Sequence, residues 1–233
     1  MKAMTFGGVA LLALAAGPAP AADVSAAAPF GAAPAYDWTG LYVGGQIGVG
    51  EGSSVQFFTA LGGGSTGRYD LSGVAGGPEV GFNWQFAQHL VVGAEADFSW
   101  ADLSGSGSTT PSYGCGTKCS TDVNWFATER ARLGYAFDNG VLLYATGGFA
   151  QVEVSPNEDG YVQSSTRPGW AAGAGVEYRF NRNWSAKAEY LYVDVDNYVW
   201  TDATSKIIDC AGLNCSTDAR FSLVRFGVNY RFE

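Results

Sequence analysis

From Trp38 onward, apolar and polar residues alternate with period two, the pattern of β-strands that bury one face. Val80, Phe82, Trp84 and Phe86 alternate with Glu79, Gly81, Asn83 and Gln85. Leu90, Val92, Ala94, Ala96, Phe98 and Trp100 alternate with Gly93, Glu95, Asp97 and Ser99. The same rhythm returns in Trp170–Phe180 and in Val224–Phe232. Helical periodicity is absent. Short turn signals fall at Ala87-Gln88-His89, Asp138-Asn139-Gly140 and Asn181-Arg182-Asn183. Between them run long polar stretches, Glu51–Tyr69, Ala101–Thr121, Pro156–Thr166 and Asn197–Ser216. Three short turns and four long loops join eight strands, over about 38–50, 70–86, 90–100, 122–137, 141–155, 167–180, 184–196 and 217–232.

Ahead of this body, Lys2 precedes an apolar run from Phe6 to Ala16, followed by Ala19-Pro20-Ala21. That order predicts a secretory signal peptide over residues 1–21, too short in its apolar run for a membrane-spanning helix. Residues 22–35 are rich in Ala and Pro without periodicity and read as a flexible linker, leaving 36–233 as the barrel domain.

Eight alternating strands fit two closed all-β barrels. A soluble one encloses its apolar face; a transmembrane one is inverted, with the apolar face to lipid and the polar face to the lumen. Aromatics recur near strand ends, as in interfacial girdles: Trp84, Phe86, Trp100, Trp125, Tyr135, Phe137, Phe180, Trp184, Tyr230 and Phe232. Loops alternate long and short. Both features favour a closed eight-stranded antiparallel up-and-down barrel in the outer membrane, with short periplasmic turns and long external loops.

Composition narrows the role. Charged residues are only 15% of the chain, and 13 Lys+Arg against 22 Asp+Glu give a net charge of −9, which disfavours nucleic acid as a partner. The charges that the alternation turns inward are Glu95, Asp97, Arg130, Arg132, Glu177, Arg179, Lys187, Glu189, Arg225 and Arg231. In so narrow a lumen they read as a packed salt-bridge network that fills the barrel, with an ion path as the sharper alternative. Glu129 shares the lipid face of Trp125, Ala127, Ala131, Leu133 and Tyr135. A β-bulge turning it inward, protonation, or a protein–protein contact would each relieve it.

Four cysteines in an exported chain read as disulfides, with 115–119 and 210–215 the simplest of three pairings of Cys115, Cys119, Cys210 and Cys215. The single His89 sits in a short turn without an evident Ser or acid partner, so neither a lipid-modifying triad nor a zinc site is expected. The reading is a non-enzyme without cofactor. Leu61-Gly62-Gly63-Gly64-Ser65 lacks the Lys and helix of a phosphate cradle.

Tyr36-Asp37-Trp38-Thr39-Gly40-Leu41-Tyr42-Val43-Gly44-Gly45 resembles the opening strand of the alphaproteobacterial outer-membrane β-barrel family, often called porin family proteins. Arg130–Asp138, Tyr144–Gly148, Lys187–Asp194 and Val224–Phe232 resemble its later strands in order. The resemblance implies a small barrel of the opacity-protein and OmpA-like type. It also implies an abundant surface protein linked to envelope integrity, some of whose relatives bind haem or host factors. Its implied partners are outer-membrane lipid and lipopolysaccharide, the barrel-assembly machinery, and a host or small-molecule ligand at the loops. Tyr113, Phe57, Phe58, Tyr161 and Trp200 are the candidate loop contacts. Val228, Tyr230 and Phe232 match the family's C-terminal assembly signal, although Glu233 follows where the family ends on an aromatic.

Overall fold

The structure is a computed structural model that describes residues 37–58, 64–65, 67–107, 119–158, 161–162, 164–200 and 215–232. Residues 1–35, expected as signal peptide and linker, and Tyr113, Cys115, Cys210 and Glu233 lie outside the described residues. Eight long strands run up and down: β1 Gly40–Phe58, β2 Tyr69–Phe86, β3 Leu90–Gly107, β4 Cys119–Ala136, β5 Val141–Glu158, β6 Ser165–Arg179, β7 Trp184–Trp200 and β8 Cys215–Arg231. Each pairs antiparallel with its neighbours, and β8 pairs with β1, so the sheet closes. Two-residue strands, Gly64–Ser65 and Tyr161–Val162, extend the edges of β1 and β5.

Closure sets the tilt. The register path Gly40–Asn83–Gly93–Arg132–Thr146–Gly173–Leu191–Leu223 returns to β1 at Gly50. The sheet therefore closes with a stagger of 50 − 40 = 10 residues. Ten residues of rise against eight strand spacings tilts the strands by about 40°.

The lipid and lumen faces fall as the alternation predicts. Phe82, Trp84 and Val228 are exposed at 50%, 56% and 46%, whereas Glu95 and Arg132 retain 4% and 2%. Two aromatic girdles bound the outward apolar band. The lower one joins Trp84 to Phe86, Tyr135 to Phe137, Trp184 to Tyr230, and Tyr230 to Phe232, at ring separations of 4.9–5.5 Å. The upper one joins Phe98 to Trp100 and Trp125, and Trp170 to Tyr192. Trp125 and Tyr135 stand ten residues apart on β4. At about 3.3 Å per residue and this tilt, that is about 25 Å of height, the thickness of the apolar band of such barrels.

The strands are longer than the alternation suggested. They run 15–19 residues, against about 9–11 needed to cross the bilayer. Glu51–Phe58, Ala101–Gly107 and Cys119–Thr121, expected as loop, are ladder. The reason lies in a second inversion above the upper girdle. There Leu71, Leu103, Val123, Phe126, Val152, Val154, Val193, Phe221 and Leu223 point into the barrel and are buried. Ser72, Asp102, Ser104 and Asn124 point outward. Water replaces hydrocarbon outside the wall, so the ordinary arrangement of apolar inside and polar outside returns.

One irregularity assists the change. Val123 and Phe126 both face the lumen, with Asn124 and Trp125 outward between them, where the ladders to β3 and β5 shift register. This bulge lies above Glu129 and does not turn it inward: Glu129 faces the lipid, opposite Ala96 and Phe149.

Candidate functional site

The lumen holds the unusual chemistry, and it is stacked in layers. At the periplasmic mouth, Trp38 is wholly buried inside the barrel with Val91, Ala136, Leu142 and Tyr144. Its backbone is held from both sides: the Trp38 amide donates to Gln85 Oε1 at 2.8 Å, and Arg231 donates to its carbonyl. The Arg231 guanidinium also lies 5.3 Å from the Trp38 ring. Arg179 donates to the carbonyls of Asp37, Asn181 and Arg182. Arg179 and Arg231 therefore tie down the mouth through backbone carbonyls, beneath the ion-pair cluster.

That cluster contains four bases and five acids, all buried. Arg130 bridges Glu95 at 2.6 Å, Asp97 at 2.9 Å and Glu189 at 3.0 Å. Arg225 closes on Asp97 at 3.0 Å and Glu189 at 2.5 Å. Lys187 spans Glu79 at 2.5 Å and Glu95 at 3.1 Å. Arg132 pairs with Glu177 and stacks 3.6 Å from the Tyr144 ring centre. Hydroxyls supply the remaining donors: Tyr42 to Glu95 at 2.7 Å, Tyr144 to Glu189 at 2.9 Å, Thr128 to Asp97 and Ser185 to Glu177 at 2.5 Å each. Alternation within each strand turns these groups inward, and the ladder sets which strand's charge meets which. Glu95 stands opposite Arg130 between β3 and β4, and Arg225 opposite Glu189 between β8 and β7.

Glycine on the polar face has a steric cause here. A Cβ on Gly81 would lie 2.3 Å from the Tyr42 ring, and one on Gly175 2.5 Å from the Tyr144 hydroxyl. Both tyrosines lie across a neighbouring strand to reach the carboxylates, and only glycine leaves that path open.

Above the ions sits the apolar layer, where the Phe126 and Phe221 rings meet at 5.5 Å. A polar lid caps it: Tyr69 and Thr121 hydroxyls lie 2.5 Å apart, and Gln56 donates to Tyr69 at 3.0 Å. Carboxylates and guanidiniums locked together, with an apolar stopper above, can hold the wall rigid and exclude ions.

Eight of the ten charges named from sequence thus meet in one cluster, and Glu79 joins them. Its place on the inward parity of β2, shared with Asn83, was the available signal. Trp38, Tyr42 and Tyr144 read as apolar or aromatic positions, and no single-strand pattern marks them as lumen plugs. His89 lies at the opposite end from the external loops. Its ring stacks on Tyr135 at 5.2 Å, with Nδ1 2.9 Å from the Ala136 carbonyl and 3.9 Å from Asp138. Cys119 is buried at the outer end of β4, and Cys215 opens β8. Val228, Tyr230 and Phe232 lie along the lipid face of the last strand and its end. Phe57, at the outer end of β1, is exposed.

The sequence matches the family described as outer membrane protein beta-barrel domain over residues 9–232. It is 35% identical over 230 residues to a 31 kDa outer-membrane immunogenic protein of Brucella melitensis biotype 1, spanning 91% of this chain and 92% of the relative. It is 31% identical over 200 residues to a 22 kDa outer membrane protein of Rhizobium leguminosarum bv. viciae, spanning 85% and 80%. Among solved structures it resembles the outer membrane protein AlkL in lipid bilayers, with TM-score 0.46, 14% identity, and 91% and 97% of the two chains covered. The match to the outer membrane protein OprG of Pseudomonas aeruginosa has TM-score 0.45 and 13% identity, covering 85% and 99%.

Proposed function

Because the chain belongs to the outer membrane protein β-barrel family, and so lies in the outer membrane, we propose that it is a sealed structural barrel that contributes to envelope integrity and carries loops for surface contacts. The observation that supports this most is the stacking of three obstructions in one lumen: Trp38, the nine-membered charge cluster and the Phe126–Phe221 layer. An eight-stranded wall leaves an interior narrow enough for side chains to fill, and these three layers support that reading. The long strands carry their outer ends well above the upper girdle. The naming of relatives as immunogenic accords with a surface-displayed role. His89, bound into a periplasmic turn, supports a non-catalytic reading.

The test is single-channel recording in planar bilayers. Wild-type protein gives no discrete conductance steps; regular steps in the purified, heat-modifiable protein would replace the sealed barrel by a narrow channel. Envelope contribution is read separately, as sensitivity of a deletion strain to detergent and to large antibiotics. A deletion strain as resistant as its parent would remove that part of the proposal.

A further inference from the structure

The lipid face of β3, β4 and β5 carries a flat patch around Glu129. Its neighbours on that face are Phe149, which stands opposite it, the amide of Gln151, which stands opposite Ala127, and otherwise small residues: Ala94 and Ala96 on β3, Ala127 and Ala131 on β4, and Ala145 and Gly147 on β5. Phe98 and Phe149 rim it above, and Leu133 and Leu143 rim it below. A groove leads from it across β2 and β1, lined by Pro78, Val80, Val43 and Gly44. Glu129 stands four residues below Trp125 and six above Tyr135 on the same strand. That places the carboxyl group about 10 Å beneath the upper girdle, inside the hydrocarbon band.

A carboxyl group at this depth needs a hydrogen-bonding partner at the same depth, since acyl tails offer none. Among the described residues, the outward band of this chain contains no Lys or Arg, so another face of a second copy supplies no cation. A two-fold axis along the membrane normal answers the need differently. It preserves depth, so each Glu129 meets its own symmetry copy. Two facing carboxyl groups, each carrying its own proton, satisfy one another as a neutral acid pair, each O–H donating to the other's carbonyl oxygen. Small side chains around them let the two walls approach closely enough for that short reach, where Phe98 and Phe149 alone would hold them apart. We infer that the Glu129 patch is an isologous contact surface whose occupant is a second copy of this chain, with the two barrels side by side in the same orientation.

Sedimentation equilibrium in density-matched detergent tests this, with heat-dependent gel mobility used to show that every variant is folded. Wild type sediments at twice the monomer mass at high protein-to-detergent ratio. Glu129→Gln, whose amide pairs with itself across the axis, keeps the association. Glu129→Val weakens it at least tenfold, and Ala131→Trp, which leaves the carboxyl but wedges the walls apart, does the same. A wild type that stays monomeric at every ratio, its patch covered by lipid or by another protein, overturns the inference. So does a Glu129→Val or Ala131→Trp variant that associates as tightly as wild type.

Discussion

Replacing Arg132 by Met separates a lumen held by ion pairs from one merely filled by bulky side chains. Glu177 is wholly buried, and Arg132 is its ion-pair partner; Ser185 and Asn229 give it hydrogen bonds at 2.5 and 3.3 Å but no charge. Met keeps most of the volume and removes the cation. Among the described residues Glu177 then has no ion-pair partner, since Lys187 opposite it in the ladder is held by Glu79 and Glu95, and the loss belongs at the top of the range for broken buried pairs, about 5 kcal/mol. Arg130→Met gives the internal comparison. Arg130 touches three carboxylates, more than Arg132 does, so counting contacts would rank it as the worse loss. Yet Asp97 and Glu189 keep Arg225, and Glu95 keeps Lys187. Each acid retains a cation, and the expected loss is nearer about 3 kcal/mol. Urea unfolding in lipid vesicles, followed by tryptophan fluorescence, measures both as shifts in midpoint at constant slope. A smaller loss for Arg132→Met than for Arg130→Met, or an unmoved midpoint in both, would show that the lumen is merely filled and not held by ion pairs.

Three further outcomes follow from the same geometry. Gln88→Gly stabilises the protein by about 1 kcal/mol in the same assay, because Ala87 and Gln88 hold positive φ angles of 49° and 66° in a turn where glycine carries no such strain; an unchanged or lower midpoint counts against it. Trp38→Ala costs about 3–5 kcal/mol, the price of emptying a fully buried indole site, and loss below 1 kcal/mol would show that the mouth is not packed around it. Ile47→Arg, on the lipid face, costs about 2–4 kcal/mol, whereas Ser104→Arg, outward but above the upper girdle, stays within about 0.5 kcal/mol. Equal effects at the two sites would place the membrane boundary elsewhere.

The strand number, the three tight turns and the direction of each face were legible because each is a local property. Period-two alternation decides a face within four residues, and Asp138-Asn139-Gly140 announces its turn without reference to anything distant. The outer strand halves were hidden by their own polarity. Glu51, Ser53 and Ser54 look like loop until β2 and β8 are seen to pair with them. A clue was present in the change of apolar phase, from Tyr190 outward to Leu191 and Val193 inward on β7, and from Val224 outward to Leu223 and Phe221 inward on β8. Reading it requires knowing where the hydrocarbon ends.

By itself the sequence determined that this chain makes an eight-stranded wall whose greasy side meets lipid, and most of the charges that look inward, Glu79 excepted. Only closure decided the rest. A stagger of ten residues brings Arg130 of β4 against Asp97 of β3 and Glu189 of β7, and lays Tyr42 over Gly81. Partners across a lumen are set by register summed around the whole barrel, and no stretch of one strand contains that sum. For the same reason the sequence put Glu129 on the lipid face but left a bulge free to turn it inward, and both its outward orientation and the patch around it were decided only once β3, β4 and β5 lay side by side.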